Sequence, residues 1–170
     1  MSKFEFRNVL PTEGDEVSEI ENICFPPNEA CAEKNMKLRV ANAADNFLVA
    51  YDPEAGKIAG FLNGVATDEA VFRDEFFTDI TLHNPNGKNV MLLGLDVRPE
   101  YRGHGLATEI MRRYREREAE KGREMLVLTC LDNKVEMYKK MGYVDKGMSA
   151  SVWGGEPWHE MTIAVAKKED

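Results

Sequence analysis

Apolar positions along this chain fall into short runs with two periods, one near two residues and one near 3.6. Phe4, Phe6, Asn8 and Leu10 alternate with Glu5, Arg7 and Val9, which predicts a first strand. Pro11-Thr12-Glu13-Gly14-Asp15 then gives a Thr-x-x-Asp start signal resembling a capping box. Val17, Ile20 and Cys24 recur at helical spacing until Phe25-Pro26-Pro27 stops the helix. A second helix is expected from Asn28 to about Val40, on Ala30, Met36 and Val40. Phe47 to Tyr51 and Ile58 to Val65 are strand-like, and the turn-forming insert Asp52-Pro53-Glu54-Ala55-Gly56-Lys57 makes them an antiparallel hairpin. Thr67 to Phe77, charged and aromatic, is expected to be helical, and His83 to Gly87 to be a loop. A strong strand runs from Val90 to Val97. The clearest helix is Gly105 to Lys121, with Leu106, Ile110, Met111 and Tyr114 on one side and Gly122 as its C-terminal cap. A buried strand (Met125 to Cys130), a short helix (Asn133 to Met141) and two final strands (near Tyr143 to Val152 and Glu160 to Ala166) complete the chain. This succession is an α/β layout of mixed sheet type.

No repeat, low-complexity segment or long linker interrupts it, so a single domain over residues 1–170 is expected, large enough to remove roughly 70% of its unfolded surface from water. Hydrophobic residues at 43% and charged ones at 31% exclude a disordered tail, a collagen and a disulfide scaffold. The net charge of −8 argues against a nucleic-acid partner and is compatible with a small cationic substrate. The longest apolar runs fall far short of the roughly 20 residues of a membrane span, and the N-terminus lacks an apolar signal core, so a cytoplasmic protein without a membrane partner is expected. Cys24, Cys31 and Cys130 form no C-x-x-C pair and have no neighbouring His cluster, which fits neither a disulfide framework nor a metal site.

The chemistry concentrates in Leu93-Gly94-Leu95-Asp96-Val97-Arg98-Pro99-Glu100-Tyr101-Arg102-Gly103-His104-Gly105-Leu106-Ala107. A strand delivers the chain into an Arg-Gly-x-Gly turn and a helix leaves it at once. Glycines let amides point into one concavity, and the new helix adds unpaired N–H groups and its positive dipole end, which together suit a pyrophosphate. Taken alone, such a turn is often only a compact strand–helix connection. A nucleoside-triphosphate loop would need Gly-x-x-x-x-Gly-Lys-Ser/Thr, which this stretch lacks. A dinucleotide fingerprint belongs in an early βαβ unit, whereas this turn lies past the middle of the chain and follows a hairpin.

Val97-x-Pro99-x-Tyr101-Arg102-Gly103-x-Gly105-x-Ala107 resembles the acetyl-CoA signature of the GNAT acetyltransferases, Arg/Gln-x-x-Gly-x-Gly/Ala. The later Asp-Asn-Lys-Val-Glu-Met-Tyr-Lys-Lys-Met-Gly-Tyr segment, Asp132 to Tyr143, is similar to the following helix of that superfamily. Two such motifs in order, with a strand between them, are far more specific than either alone. Phe25-Pro26-Pro27-x-Glu29-Ala30, Thr81-Leu82-His83 and Leu128-Thr129-Cys130 through Tyr138 are similar to the arylalkylamine N-acetyltransferase branch.

The resemblance implies a mostly antiparallel mixed sheet flanked by helices, with a strand pair splayed at the acetyl-CoA site. It implies that backbone groups of Leu95, Asp96 and Val97 receive the pantetheine arm. The amides of Gly103, His104, Gly105, Leu106, Ala107 and Thr108 would hold the pyrophosphate, and Arg102 could add a direct charge. Asp96 invites a catalytic reading; a solvent-facing or structural carboxylate is the alternative. Tyr138 matches the tyrosine that acts as general acid on the departing thiolate, against a plain reading as a core tyrosine. Where vertebrate relatives in the branch carry a His-x-His pair that drains the amine proton, this chain has Met91 and Leu93, neither able to accept one. His83, His104, His159, Glu29, Glu69 and Glu160 remain as candidate bases, with a water chain to a carboxylate as another route. Phe25, Pro26, Glu29 and Trp158 are candidates for the acceptor pocket, where an aromatic wall can hold a cation. The expected activity is acetyl transfer from acetyl-CoA to a small primary amine, an arylalkylamine or a polyamine. The alternatives are a GNAT enzyme for a protein N-terminus, a lysine or an aminoglycoside, and a non-catalytic acyl-CoA-binding module.

Overall fold

The computed structural model describes residues 3–165. Seven strands, β1 (Glu5–Asn8), β2 (Phe47–Asp52), β3 (Lys57–Thr67), β4 (Asn89–Val97), β5 (Met125–Cys130), β6 (Val144–Met148) and β7 (His159–Ala164), form one sheet in the order β1-β2-β3-β4-β5-β7-β6. Five helices flank it: α1 (Gly14–Cys24), α2 (Glu33–Asn42), the single turn α3 (Glu75–Thr78), α4 (Leu106–Glu120) and α5 (Val135–Lys140). Every neighbouring pair of strands is antiparallel except β4 and β5. The expected mixed, mostly antiparallel α/β sheet is the one observed, and the β2–β3 hairpin closes through the Asp52–Lys57 insert.

The periodicity places the core on both faces. Leu106, Ile110, Met111 and Tyr114 of α4 pack with Leu48, Leu62, Val90, Leu92, Leu126 and Leu128. On the other face, Val17 and Ile20 of α1 and Met36 and Val40 of α2 cover Phe47, Val49, Ile58 and Phe61.

Several local expectations fail for identifiable reasons. Thr67 to Phe77 is not a helix: β3 continues to Thr67, which pairs with Asn89, and only α3 is helical. Phe72 and Phe76 instead anchor this stretch by burying against Val65, Met91 and Val127. The second helix begins at Glu33, because the amides of Glu29 and Ala30 turn back onto the Pro26 carbonyl at 2.9 Å. Thr12 caps nothing; the Glu13 carboxylate accepts from the Leu10 amide and is clamped by Arg7, and α1 opens at Gly14 without a side-chain cap. The strand expected near Tyr143 to Val152 stops at Met148, and a turn at Trp153–Gly155 follows. Ala166, the expected end of the last strand, lies outside the described residues.

Two irregularities of β4 shape the site. Asn63 pairs with Gly94 but Gly64 pairs with Leu92, so Leu93 is an extra residue in a bulge. Past it the strand presents the opposite alternation to each face: Val90 and Leu92 join the α4 side before the bulge, Leu95 and Val97 after it. The second irregularity is toward β5, where pairing ends at Met91↔Val127. Beyond that point β5 continues with β7 as far as Cys130↔His159, leaving β4 and β5 apart.

Candidate active site

The gap between the splayed strands opens into a cleft of about 580 Å³. Its walls are Leu93–Leu95 and Val97 of β4, Leu128–Leu131 at the end of β5, and Met137 and Tyr138 of α5, with Arg102, Gly103 and Gly105–Thr108 of the turn at its end. At that turn the amides of residues 103–108 have no acceptor among the described residues; the first amide of α4 that is paired is Glu109, onto the Gly105 carbonyl at 3.1 Å. Gly103 and Gly105 have φ of +84° and +81°, a conformation that favours glycine, and a Cβ at either would stand in open space. The turn is therefore an open concavity of donors at the positive end of a 15-residue helix. Its base is braced: the Tyr101 hydroxyl donates to Asp52 Oδ2 at 2.6 Å, which pushes the phenol up to about 12.

The resemblance-derived residues separate on this frame. Leu95, Val97, Arg102, Gly103, Gly105, Leu106, Ala107, Thr108, Tyr138, Phe25, Pro26, Glu29 and Trp158 all line the cleft. The Arg102 guanidinium turns back onto the strand, donating from Nε to the Val97 carbonyl at 2.9 Å, with Nη2 3.5 Å from Cys24 Sγ. His104 lies outside the cleft, in a second depression shared with Lys3, Phe4 and Glu100. Asp96 is wholly buried and its carboxylate has no donor, so the residue is neither solvent-facing nor on the cleft wall.

Tyr138 stands at the α5 end of the cleft, packed edge-to-face on Tyr143 at 5.7 Å. Burial raises its phenol above the ordinary range, with Cys130 and Asp96 adding to the shift, so it holds its proton at neutral pH. Among the candidate bases, His83 is a buried histidine whose Nδ1 accepts from the Ala66 amide at 3.0 Å; burial pushes it below its usual range. His159 has Nδ1 3.2 Å from Asp145 and Nε2 3.1 Å from Asp132. Glu69 is bound by Arg73 through both oxygens at 2.8 Å. Glu160 faces Ser149 at 3.3 Å and is raised by burial. Of these carboxylates Glu29 lines the cleft, and burial with the nearby Glu156 raises it.

Periodicity alone did not bring out two further groups. Phe77 and Trp153 stack at 4.6 Å on the cleft wall. Trp153 Nε1 donates to the Glu29 carbonyl and Trp158 Nε1 to the Trp153 carbonyl, each at 2.8 Å, which ties the Phe25–Glu29 loop to the C-terminal one. Glu21 also lines the cleft while buried on α1, and its signal was a carboxylate sitting on the apolar stripe of Val17, Ile20 and Cys24. No group of three His, Cys, Asp or Glu side chains converges as metal ligands among the described residues, and none of their helices is long and apolar enough to cross a membrane.

A family model described as Acetyltransferase (GNAT) family matches residues 14–143. Thialysine N-epsilon-acetyltransferase of Bos taurus is 36% identical over 76 residues, which are 43% of this chain and 41% of that protein, so the match spans less than half of that relative. The loading GNATL domain of CurA from Lyngbya majuscula superposes with a TM-score of 0.81 over 95% of this chain and 98% of that one, at 12% identity. The phosphinothricin acetyltransferase of Sinorhizobium meliloti, solved in complex with AcCoA, superposes with a TM-score of 0.68 over 97% and 90% of the two chains, at 14% identity. At such identities the structural likeness is one of fold.

Proposed function

Because the chain belongs to the acetyltransferase (GNAT) family, we propose that it transfers the acetyl group of acetyl-CoA to the nitrogen of a small primary amine of the arylalkylamine or polyamine class. The observation that carries this reading is the row of acceptor-free amides from 103 to 108 at the mouth of the gap between β4 and β5. Those amides suit a pyrophosphate, and the edge of β4 from Leu95 to Val97, left without a partner strand where β5 diverges, suits the amide groups of a pantetheine arm. Arg102 acts here as a brace: it satisfies the Val97 carbonyl and so fixes where strand ends and turn begins.

Chemistry then falls to the inner end of the cleft. Tyr138 keeps its proton until a sulfur leaves, then supplies it. Phe25, Pro26, Phe77, Trp153 and Trp158 would enclose an aromatic or alkyl group, and Glu29 would attract a second ammonium at the rim. The net charge of −8 favours cationic acceptors. The bovine relative is named for transfer to the ε-nitrogen of thialysine, itself a small amine, which supports the class. Cys24, Cys31 and Cys130 are unpaired thiols, as a reducing cytoplasmic setting would keep them.

A thiol-release assay tests the reading. Phenethylamine, tryptamine and spermidine should turn over faster than a lysine-rich peptide. A clear preference for the peptide would assign the cleft to a protein acceptor, and acetyl-CoA binding without turnover of any amine would make the chain a binding module.

A further inference from the structure

Amine acetylation needs somewhere to put a proton. A free alkylamine is an ammonium at neutral pH, with a pKa near 10, and cannot attack until it loses one. Met91 and Leu93 cannot take it, both nitrogens of His159 face carboxylates, and His83 is packed against β3.

Beside Leu93, across the seam between α1 and β4, lies a buried acid pair. The bulge at Leu93 turns Gly94 and Asp96 toward α1, where Glu21 is 4% exposed and Asp96 wholly buried. From the point where a Gly94 side chain would begin, Asp96 Oδ1 lies at 3.2 Å, Asn63 Nδ2 at 3.4 Å and Glu21 Oε1 at 3.5 Å. Glu21 Oε2 accepts from the Cys31 amide at 2.9 Å, but Glu21 Oε1 and both Asp96 oxygens have no donor. Two ionised carboxylates in that arrangement would leave three buried oxygens unpaired, at a cost of several kcal/mol. One proton between them converts the pair into a hydrogen bond. Burial and Glu21 together push Asp96 well above the usual carboxylate range.

The surroundings fix the charge balance. Cys24 reaches Asp96 from the same helix as Glu21; from α2, Arg39 opposes the charge of Asp96, donating to Asn63 Oδ1 at 3.1 Å and to the Phe77 carbonyl at 2.9 Å; from α5, Tyr138 lies within electrostatic reach of Asp96. One cation and two carboxyls sharing one proton make a neutral cluster. Glu21 belongs to the cleft wall, next to Leu93 and Gly94.

We propose that Glu21 and Asp96 share one proton at rest and together form the proton acceptor for the incoming amine, with Asp96 keeping the first proton and Glu21, which carries the resting charge, receiving the second from the cleft. This rests on the acetyltransferase reading above. The ammonium N–H bond breaks and a carboxyl O–H forms, leaving a neutral amine. The nitrogen forms the new N–C bond and gives up its second proton while the thioester C–S bond breaks and the sulfur takes the proton of Tyr138. The amine's second proton restores Tyr138, and the pair returns its extra proton to solvent. Glu21 is thus a catalytic residue and Asp96 a positioning residue.

The test compares wild type, Glu21→Gln and Asp96→Asn on two acceptors, phenethylamine and the weakly basic trifluoroethylamine, which is largely neutral near pH 7. On phenethylamine at pH 7, Glu21→Gln should lose about 10²–10⁴-fold in kcat/KM, the range of general base help. That loss should shrink as pH climbs toward the amine's own pKa. On trifluoroethylamine the loss should be at least tenfold smaller. Asp96→Asn should shift the pH profile while its KM for acetyl-CoA stays unchanged. Equal losses on both amines with an unmoved profile would overturn the proposal, and so would full activity in either variant. If wild type turns over neither amine, the acetyltransferase reading fails, which is a separate outcome; the infrared spectrum then still decides whether the proton is shared. Wild type should show a protonated-carboxyl band at pH 7 that Asp96→Asn removes. Absence of that band in wild type overturns the shared proton, even should a variant fail to fold.

Discussion

Tyr138 shows how one side chain takes a role from its surroundings. On sequence it is an aromatic at helical spacing, which a core residue would also satisfy. In the fold its ring is held by Tyr143, and buried neighbours keep its phenol protonated beside the cleft. A group that donates its proton only as the thiolate departs acts on the transition state and leaves the ground state nearly untouched. Tyr138→Phe should therefore lower kcat by an order of magnitude or more and leave KM nearly unchanged, in steady-state kinetics where chemistry limits the rate. Full kcat in that variant would make Tyr138 a packing residue. Arg102 and His83 show the same dependence on context. The Arg102 guanidinium is drawn to a carbonyl at a strand end, and the Nδ1 of His83 satisfies a backbone amide at the edge of β3. For both, residue type marked an ability to bind charge or move protons that local hydrogen bonds then occupied.

Elements carry the positioning, and here the sequence was most and least informative. The α4 helix was legible almost to the residue, because Leu106, Ile110, Met111 and Tyr114 hold a 3.6-residue period over more than two turns and Gly122 closes it. The turn before it was legible through its Arg-Gly-x-Gly spacing together with the later Asp132 to Tyr143 segment, since the glycines alone would mark only a compact connection. The bulge at Leu93 was not. A single extra residue reverses which side chains reach each face, and nothing in the pattern of Val90 to Val97 marks where it falls. On sequence Asp96 therefore admits a catalytic, a solvent-facing or a structural reading, and the bulge turns it onto α1. Glu21 was visible as a misplaced carboxylate on an apolar stripe, but its partner lies 75 residues away in sequence and comes to it only through the sheet. The Thr67 to Phe77 helix failed for a related reason: aromatic residues that looked like a helical face were anchors for an irregular segment on β3 and β4. For the turn, the expected outcome is sharp. Gly105→Glu places an acidic chain in the open concavity and strains the backbone at φ +81°, so calorimetry should show loss of acetyl-CoA binding while circular dichroism stays folded. Gly105→Ala carries the strain without the charge and should weaken binding by less. Equal, undiminished affinity in both would remove the turn from the binding site.

At the scale of the whole molecule the two layers of helices are tied through buried polar groups of opposite design. On the α4 side, Glu118 and Arg123 meet at 3.1 Å, and Asn46 donates to the same carboxylate at 2.8 Å, so that buried carboxylate has its partners. On the α1 side, Glu21 and Asp96 are left short of donors, an arrangement that costs stability and that folding alone does not require. The pH dependence of stability separates the two designs. Asp52 and Glu13 are depressed, Asp52 mainly by Tyr101 and Glu13 by Arg7 against an opposing burial effect; their contribution is present above the ordinary carboxylate range and is lost as pH falls through it. Asp96 has the opposite sign. Its carboxyl is raised above the unfolded value of 3.8, so between that value and its folded one the native state binds more protons than the unfolded chain, and stability drains away as pH rises through that window. Asp96→Asn removes this term and keeps a donor that can reach Glu21. Thermal unfolding of the variant and of wild type should therefore diverge with pH: the Tm advantage of Asp96→Asn should be smallest near pH 4 and grow steadily toward pH 8. A gap that stays constant across that range would mean that Asp96 ionises as an ordinary carboxylate, and the α1–β4 seam would then carry no stored proton for the reaction to use.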